Sequence, residues 1–452
     1  MVSELLQQVR LLDPASGTDR IADILITDGT IQTISGQIDD YPADTRVLDC
    51  QGWVLGPGLQ DLYSHSGEPG FETRETLVSL AQAAAAGGFT RVAILPDTLP
   101  VLDTAANLAF VDRAARVLLA GKDSREDPSQ PDPTIYSAGV GASQPARLQC
   151  WGALTQTLQG QSMTELAELA DAGAIGFTDG RPLASLELVR RLLEYVQPLG
   201  KPVALWPCDR KLAGQGAMRE GFDSIRLGIP GNPAIAETSA LAALLECIDS
   251  IGTPTHLMRI STARSVELVR AAKERGLPIT ASTPWMHLLL SSEDIGRDRW
   301  QHPYNPNLHL DPPLGNPADR AALLDAVKEG VIDAVAIDHA PYTYEEKTVA
   351  FADAPPGAIG LELALPLLWQ SLVETGSWSA LDLWRCLSTG PAACLQQATP
   401  PIVVGTSADL TLFNPQASWT VEHQTVASLS SNTPWWGKQL VGRVVKTWMG
   451  GA

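Results

Sequence analysis

Five segments place polar residues directly behind short apolar runs: Asp61-Leu62-Tyr63-Ser64-His65, Thr178-Asp179-Gly180, Trp206-Pro207-Cys208-Asp209, Arg259-Ile260-Ser261-Thr262 and Asp338-His339-Ala340-Pro341. Carboxylates and an imidazole at such positions could bind a metal ion, or serve as general acid and base on a bound water. Each also has a quieter role. His65 standing alone reads as a surface or core histidine, Asp179 as a turn or helix-capping residue, and Asp338 as a salt-bridge partner. His256, His287, His302, His309, His339 and His423 have no spacing that would build a second cluster.

The elements that must carry these residues follow from hydrophobic periodicity. Short apolar strands are expected over 91–95, 174–177, 203–206, 277–280 and 334–337, alternating with helical patterns over 75–86, 163–172, 186–196, 263–275 and 318–329. Several of these helices are followed by a glycine, as helix ends prefer. Alternation of this kind, over this length, predicts a (β/α)8 barrel, in which polar residues at the C-terminal ends of strands gather at one mouth. Both chain ends read differently. Strand-like runs separated by Asp28-Gly29 near the start, and 408–413, 419–421 and 442–448 near the end, predict a small β-rich unit. The expected division is a composite β-sandwich from 1–55 plus 400–452, and a barrel over 56–399. The polar, Pro- and Asp-rich stretch 121–134 reads as a surface connector between barrel units.

With 452 residues and 44% hydrophobic content, a large core with an appendage is the natural expectation. The formal charge of −19 argues against nucleic acid or an anionic membrane as partner, because both would be repelled. No run reaches the ~20 apolar residues needed to span a bilayer, and the first residues lack a basic segment followed by an apolar one. Six dispersed cysteines without a Cys-x-x-Cys pair suggest neither a disulfide framework nor a zinc ribbon. A cytoplasmic location is the expectation.

Longer strings carry a family resemblance. Gly56-Pro57-Gly58-Leu59-Gln60-Asp61, Glu68-Pro69-Gly70-Phe71-Glu72-Thr73-Arg74-Glu75, Leu310-Asp311-Pro312-Pro313-Leu314, Ile337-Asp338-His339-Ala340-Pro341, Glu345-Glu346-Lys347 and Ala354-Pro355-Pro356-Gly357-Ala358-Ile359-Gly360-Leu361-Glu362 together resemble dihydroorotase, a metal-dependent amidohydrolase. The resemblance runs from near residue 20 to the C-terminus. It implies a metal-dependent TIM barrel with a small β-sandwich from both chain ends. It also implies a pair of zinc ions whose bridging hydroxide opens a ring amide, with a strand-end Asp shuttling the proton.

Carried onto this sequence, the implied ligand set is incomplete. The Asp-x-His-x-His motif stands as Asp61-x-Tyr63-x-His65, the bridging carboxylate falls on Asp179, and the later histidine positions hold Trp206 and Arg259, while Asp338 is retained as ligand and proton shuttle. His65, Asp179 and Asp338 would leave one zinc site at most, or none, with Tyr63, Trp206 and Arg259 as degenerate positions. Arg259 brings a fixed positive charge toward the missing ion and is expected to pair with Asp179 or Asp338. The substrate-binding positions implied by the resemblance, Gly67, Asp97, Asp311 and Tyr342, also depart from the family pattern. Losing an Arg at 67 removes a charge-assisted bond of about 1.5–3 kcal/mol, and Asp97 sets a carboxylate where a carboxylate would bind.

Two functions are therefore expected from the resemblance. One is a catalytically impaired or inactive dihydroorotase-like scaffold of pyrimidine biosynthesis that partners aspartate transcarbamoylase. The other is an active dihydroorotase, or another cyclic amidohydrolase, with a single metal. A homo-oligomer is expected in either case.

Overall fold

A computed structural model of the chain describes residues 2–119, 143–297 and 303–450; the connector expected over 121–134, and His302, lie outside them. Parallel strands Leu59–Ser64, Phe89–Ile94 and Arg147–Cys150 form one arc, and Val203–Leu205, Thr255–Leu257, Ile279–Pro284 and Ala334–Ala336 form another. Phe177 joins the arcs, bridging in parallel to Gly152 on one side and Val203 on the other. Counting that single-residue bridge, eight positions make a parallel ring, which is the barrel expected from the alternation of strands and helices.

The strand expected over 174–177 is thus reduced to Phe177. Gly176 explains part of this, because a Cβ there would lie 2.5 Å from the Pro202 carbonyl oxygen and 2.6 Å from the Trp151 ring. The chain passes too close to its neighbours to extend as a regular ladder. The helix expected over 163–172 is likewise confined to Leu166–Asp171.

Between the last strand and the first, side chain and backbone together close the ring. Asp61, fully buried, accepts the Ile337 amide at 2.7 Å and the Ser64 hydroxyl at 2.5 Å, while the His65 amide donates to the His339 carbonyl at 2.8 Å. Burial pushes the Asp61 carboxyl up to about 7, opposed by those hydrogen bonds. The aspartate of the first polar segment is therefore a fastener of the barrel.

Helices cover the outside. Leu77–Ala86 starts at a Thr76/Ser79 capping box, and its Leu77, Leu80, Ala81, Ala83, Ala84 and Ala85 are buried, so the alanine run is a close-packed face. The 17-residue helix Ile235–Ile251 carries Glu237, which accepts the amides and hydroxyls of both Ser261 and Thr262. A carboxylate from one helix thereby fixes the loop that follows Arg259.

Strands from both chain ends build a separate sheet, in the order Gln439–Trp448, Leu410–Thr420, Val54–Pro57, Ser3–Asp13, Thr18–Thr27, Thr30–Ser35, with Arg46–Asp49 paired to Ser3–Asp13. Asp28 and Gly29 both take positive φ, 46° and 73°, which matches the two-residue hairpin expected there. Leu6, Ile24, Ile26, Leu55, Leu412 and Trp448 form its own core.

Where this sheet meets the barrel, Gly56 lies against Trp384 of the helix Ala380–Leu387, whose indole N–H donates to the Pro57 carbonyl at 3.0 Å. A Cβ at Gly56 would stand 2.1 Å from that indole nitrogen. Gly56→Ala is expected to lower stability by about 1–3 kcal/mol through overpacking, read as a lower urea midpoint with unchanged slope; an unaltered midpoint would show that the joint can relax.

Candidate functional site

At the C-terminal mouth of the barrel, a cleft of about 850 Å³ is bordered by His65, Asp97, Trp206, Arg259, Asp338 and Tyr342. Its centre is a guanidinium. Arg259, only 4% exposed in its side chain, donates from Nε to Asp338 Oδ2 at 2.8 Å and from Nη2 to Oδ1 at 2.6 Å. Nη1 donates to the Gly180 carbonyl at 2.9 Å, and the Trp206 ring lies against its flat face, 4.4 Å from Cζ to centroid. Burial works against the charge, but Asp338, by proximity and hydrogen bonding, outweighs it and holds Arg259 above its ordinary value.

Both members of this pair occupy left-handed backbone, with φ of 55° at Arg259 and 51° at Asp338. That region is sparsely populated by residues with a Cβ. At Arg259 the amide hydrogen points at the Tyr63 hydroxyl oxygen, 3.2 Å away. The Tyr63 hydroxyl also shares a hydrogen bond with Ser282 Oγ at 3.0 Å. Ser282 Oγ in turn is hydrogen-bonded to His256 Nε2 at 2.9 Å, and His256 Nδ1 to Thr280 Oγ1 at 2.9 Å. Burial pushes the His256 imidazole down to about 3, which keeps the ring neutral, with one nitrogen donating and the other accepting. Tyr63 is fully buried, and its phenol is pushed up by that burial.

His65 sits on the other side of the guanidinium. Its Nδ1 meets Asp97 Oδ2 at 2.6 Å, and its Nε2 lies 3.5 Å from Arg259 Nη2 and 3.8 Å from Asp338 Oδ1. Burial alone would lower the imidazole, yet Asp97 and Asp338 raise it above its usual value; the same pairing lowers Asp97 against the upward push of burial. Asp179 does not join this group. Its two oxygens accept the amide of Thr155 at 2.9 Å and the hydroxyl of the same residue, and burial raises its carboxyl. Of the two partners expected for Arg259, the structure brings Asp338; from the Asp179 loop only the Gly180 carbonyl arrives.

The remaining positions are distributed around the mouth. Gly67 has no room for a side chain, since a Cβ would meet the Glu75 carbonyl oxygen at 2.3 Å. Asp311 pairs with Arg210 at 2.6 Å, and Tyr342 lies beneath the Arg74 guanidinium, 5.0 Å from Cζ to ring centroid. Sequence reasoning passed over Arg210, the second guanidinium against Trp206 at 4.6 Å, and over His287, whose Nε2 meets the Pro312 carbonyl within the cleft wall. Arg210 could have been noticed as the first residue past Trp206-Pro207-Cys208-Asp209. Ser282 and Thr155 carried no comparable signal.

Known proteins share this architecture and align with the chain over nearly its whole length. The model of the amidohydrolase family matches residues 235–451. A probable dihydroorotase-like protein of Synechocystis sp. is 44% identical over 447 residues, covering 98% of this chain and 99% of its own. A dihydroorotase of Syntrophotalea carbinolica is 36% identical, covering 98% and 96%. The chain belongs to the dihydroorotase-like family of amidohydrolases. An L-hydantoinase from Arthrobacter aurescens superposes with a TM-score of 0.79 over 100% of this chain and 98% of that one, at 20% identity, which speaks for the barrel and its β-rich appendage alone.

Dihydroorotase-like family members with metals need free imidazole and carboxylate donors converging on one point. Here the donors are engaged elsewhere. Both oxygens of Asp338 bind Arg259, both of Asp179 bind Thr155, Nδ1 of His65 binds Asp97, and the Tyr63 oxygen serves Ser282 and a backbone amide. Among the described residues, no group of three or more His, Cys, Asp or Glu side chains is arranged to hold a metal ion. The expected single-site set of His65, Asp179 and Asp338 is therefore not gathered, because a guanidinium already neutralises Asp338 and Asp179 faces its own loop. A pair of metal ions does not fit these residues.

Removing the guanidinium should leave a partly buried carboxylate without a partner. Arg259→Met is expected to cost about 3–5 kcal/mol, and adding Asp338→Asn should recover a good part of it, measured by urea unfolding of the single and double variants; equal losses in both would disprove the coupling. Because His256 titrates near 3 when folded and near 6.5 when unfolded, the unfolded chain binds the extra proton in that window. Stability should fall as pH drops from 6.5 toward 3, by up to about 1.4 kcal/mol per unit for this one group. A His256→Gln variant with the same pH slope as the parent would contradict the assignment.

Proposed function

We propose that this chain is a dihydroorotase-like protein in which ring-amide hydrolysis has given way to a structural role, with the barrel serving as a scaffold or partner of aspartate transcarbamoylase in pyrimidine biosynthesis. The observation that carries this reading is the bidentate Arg259–Asp338 pair. Ring-amide opening in this family requires an activated hydroxide and a carboxylate free to move its proton. Asp338 has both oxygens engaged, and a permanently charged guanidinium stands where cations would be drawn. Asp97 beside His65, and Gly67 without space for a cationic side chain, further disfavour a carboxylate-bearing substrate.

On this reading the composite β-sandwich comprises 1–55 plus 400–452, and the barrel 56–399. A cytoplasmic location fits the placement of a pyrimidine-pathway partner; among the described residues no helix is long and apolar enough to cross a membrane. The rival reading is an active dihydroorotase, or another cyclic amidohydrolase, holding a single metal through a rearranged His65, Asp179 and Asp338.

One sample decides between them: metal content of protein purified without chelator, together with ring-opening and ring-closing assays on dihydroorotate and carbamoyl-aspartate. Metal far below one per chain and no turnover are expected. Stoichiometric metal with brisk ring opening would establish the rival. Changing Tyr63, Trp206 and Arg259 together to His should raise zinc uptake, whereas each single change should do little. The partner is tested by size-exclusion chromatography with aspartate transcarbamoylase, where co-elution is expected and independent elution counts against the scaffold.

A further inference from the structure

Strands Leu410–Thr420 and Gln439–Trp448 are joined by a segment that leaves the β-rich sheet and runs onto the barrel mouth. Two acids fasten its residues 427–429. Glu362 accepts the Ala427 amide at both oxygens, 2.9 and 3.1 Å, and the Ser428 amide at 3.2 Å; Glu75 accepts the Leu429 amide at 3.2 Å and the Ser428 hydroxyl. Three residues on, Asn432 holds the wall of the cleft. Its side-chain nitrogen donates to the Ala340 carbonyl at 2.8 Å and the Gly357 carbonyl at 3.3 Å, and its side-chain oxygen accepts the Tyr342 amide at 3.1 Å. Trp435 stacks on Trp285 of the same wall, with ring centroids 5.2 Å apart.

Both acids are buried, and they meet at a single residue, Ser428. The titratable and charged groups facing them are few. His339 Nδ1 accepts the Gly360 amide at 3.1 Å, so a neutral ring carries its hydrogen on Nε2, which lies 3.5 Å from Glu75 Oε2. Arg443, whose Nη2 donates to the Thr425 carbonyl at 3.1 Å, acts on Glu362 by its charge. Two buried carboxylates that converge in this way are strongly disfavoured from being charged together. Glu75 has a hydroxyl and an imidazole N–H directed at it, whereas Glu362 has backbone amides alone. Burial, with Glu75 adding to it, pushes the Glu362 carboxyl up to about 8 against the pull of those amides and of Arg443.

We propose that Glu362 is a proton-operated latch: segment 427–432 stays docked on the barrel while this carboxyl holds its proton and loosens as the proton is lost, slackening the Ala340–Tyr342 wall of the cleft. Released into solvent, the same carboxyl returns to its ordinary value of 4.5. The docked form therefore binds the extra proton between those limits. Its hold is complete below 4.5, weakens by about tenfold per pH unit as pH rises, and is least above 8. The latch acts on the segment rather than on Arg259 or Asp338, and so stands whether or not the cleft turns over a substrate.

Hydrogen exchange of segment 426–432 in the full chain, followed by mass spectrometry between pH 6 and pH 8 and expressed as protection relative to an unstructured peptide of the same sequence, tests this. Protection in the wild type is expected to fall by about tenfold per pH unit, and in Glu362→Gln to stay level. Glu75→Gln, which removes the neighbouring charge but keeps an acceptor at Ser428, should give a shallower fall. The helix Ile235–Ile251 should remain better protected than the segment at every pH. Level protection in the wild type overturns the proposal without recourse to any variant. So does a fall that persists undiminished in Glu362→Gln or Glu75→Gln, or a helix that loses protection to the same extent as the segment, which would mean that the whole chain opens.

Discussion

A guanidinium held flat between a carboxylate and an indole sets the character of the barrel mouth. Two parallel hydrogen bonds from Arg259 to Asp338 fix the relative orientation of two strand-end loops more narrowly than a point charge could, because both groups are planar and both bonds must be made at once. The Gly180 carbonyl and the Trp206 ring complete the enclosure on the remaining sides. Within such surroundings a cation without its carboxylate, or a carboxylate without its cation, would be strongly unfavourable. The two residues are therefore interdependent, and both stand on left-handed backbone that their neighbours must hold in place.

The holding is done by residues that make no contact with the cleft. Tyr63, Ser282, His256 and Thr280 form a string of hydrogen bonds through the barrel interior, ending at the Arg259 amide. Glu237 secures the turn that follows Arg259, and Asp61 fastens the last strand to the first. A fully satisfied buried polar network of this kind specifies one arrangement, since each member left unpaired would be costly. Tyr63 illustrates the change of role: a phenol takes its place in this string at a position where the family resemblance implies a metal-binding imidazole. Fold and site chemistry occupy different residues of a barrel, so the strings that build the ring can persist while the mouth is rebuilt.

A formal charge of −19 disfavours contact with polyanions. Inside the mouth charge is balanced at close range, where His65 with Asp97, Arg259 with Asp338 and Arg210 with Asp311 pair opposite charges two by two.

Much of this was legible in the sequence. Apolar strands at 91–95, 203–206 and 334–337, alternating with amphipathic helices, could bury their faces only as layers around a parallel sheet, and turn chemistry such as Asp28-Gly29 marked the β-rich ends. The residue types at 63, 206 and 259 set a phenol, an indole and a guanidinium where the family resemblance implies imidazole, and neither of the last two can donate to a metal ion. Which carboxylate Arg259 would meet was not legible. Gly180, beside Asp179, and Asp338 both lie 79 residues from it along the chain, so spacing could not choose between them. Tertiary structure made that choice by turning Asp179 onto Thr155 and carrying Asp338 to the guanidinium. It alone also turned Phe222 and Ile225 outward, since a short helix with two apolar residues reads as core until the surface it packs against is known. Local sequence encodes periodicity and chemical type; the pairing of distant charges, and the direction a side chain faces, arise only when the ring closes.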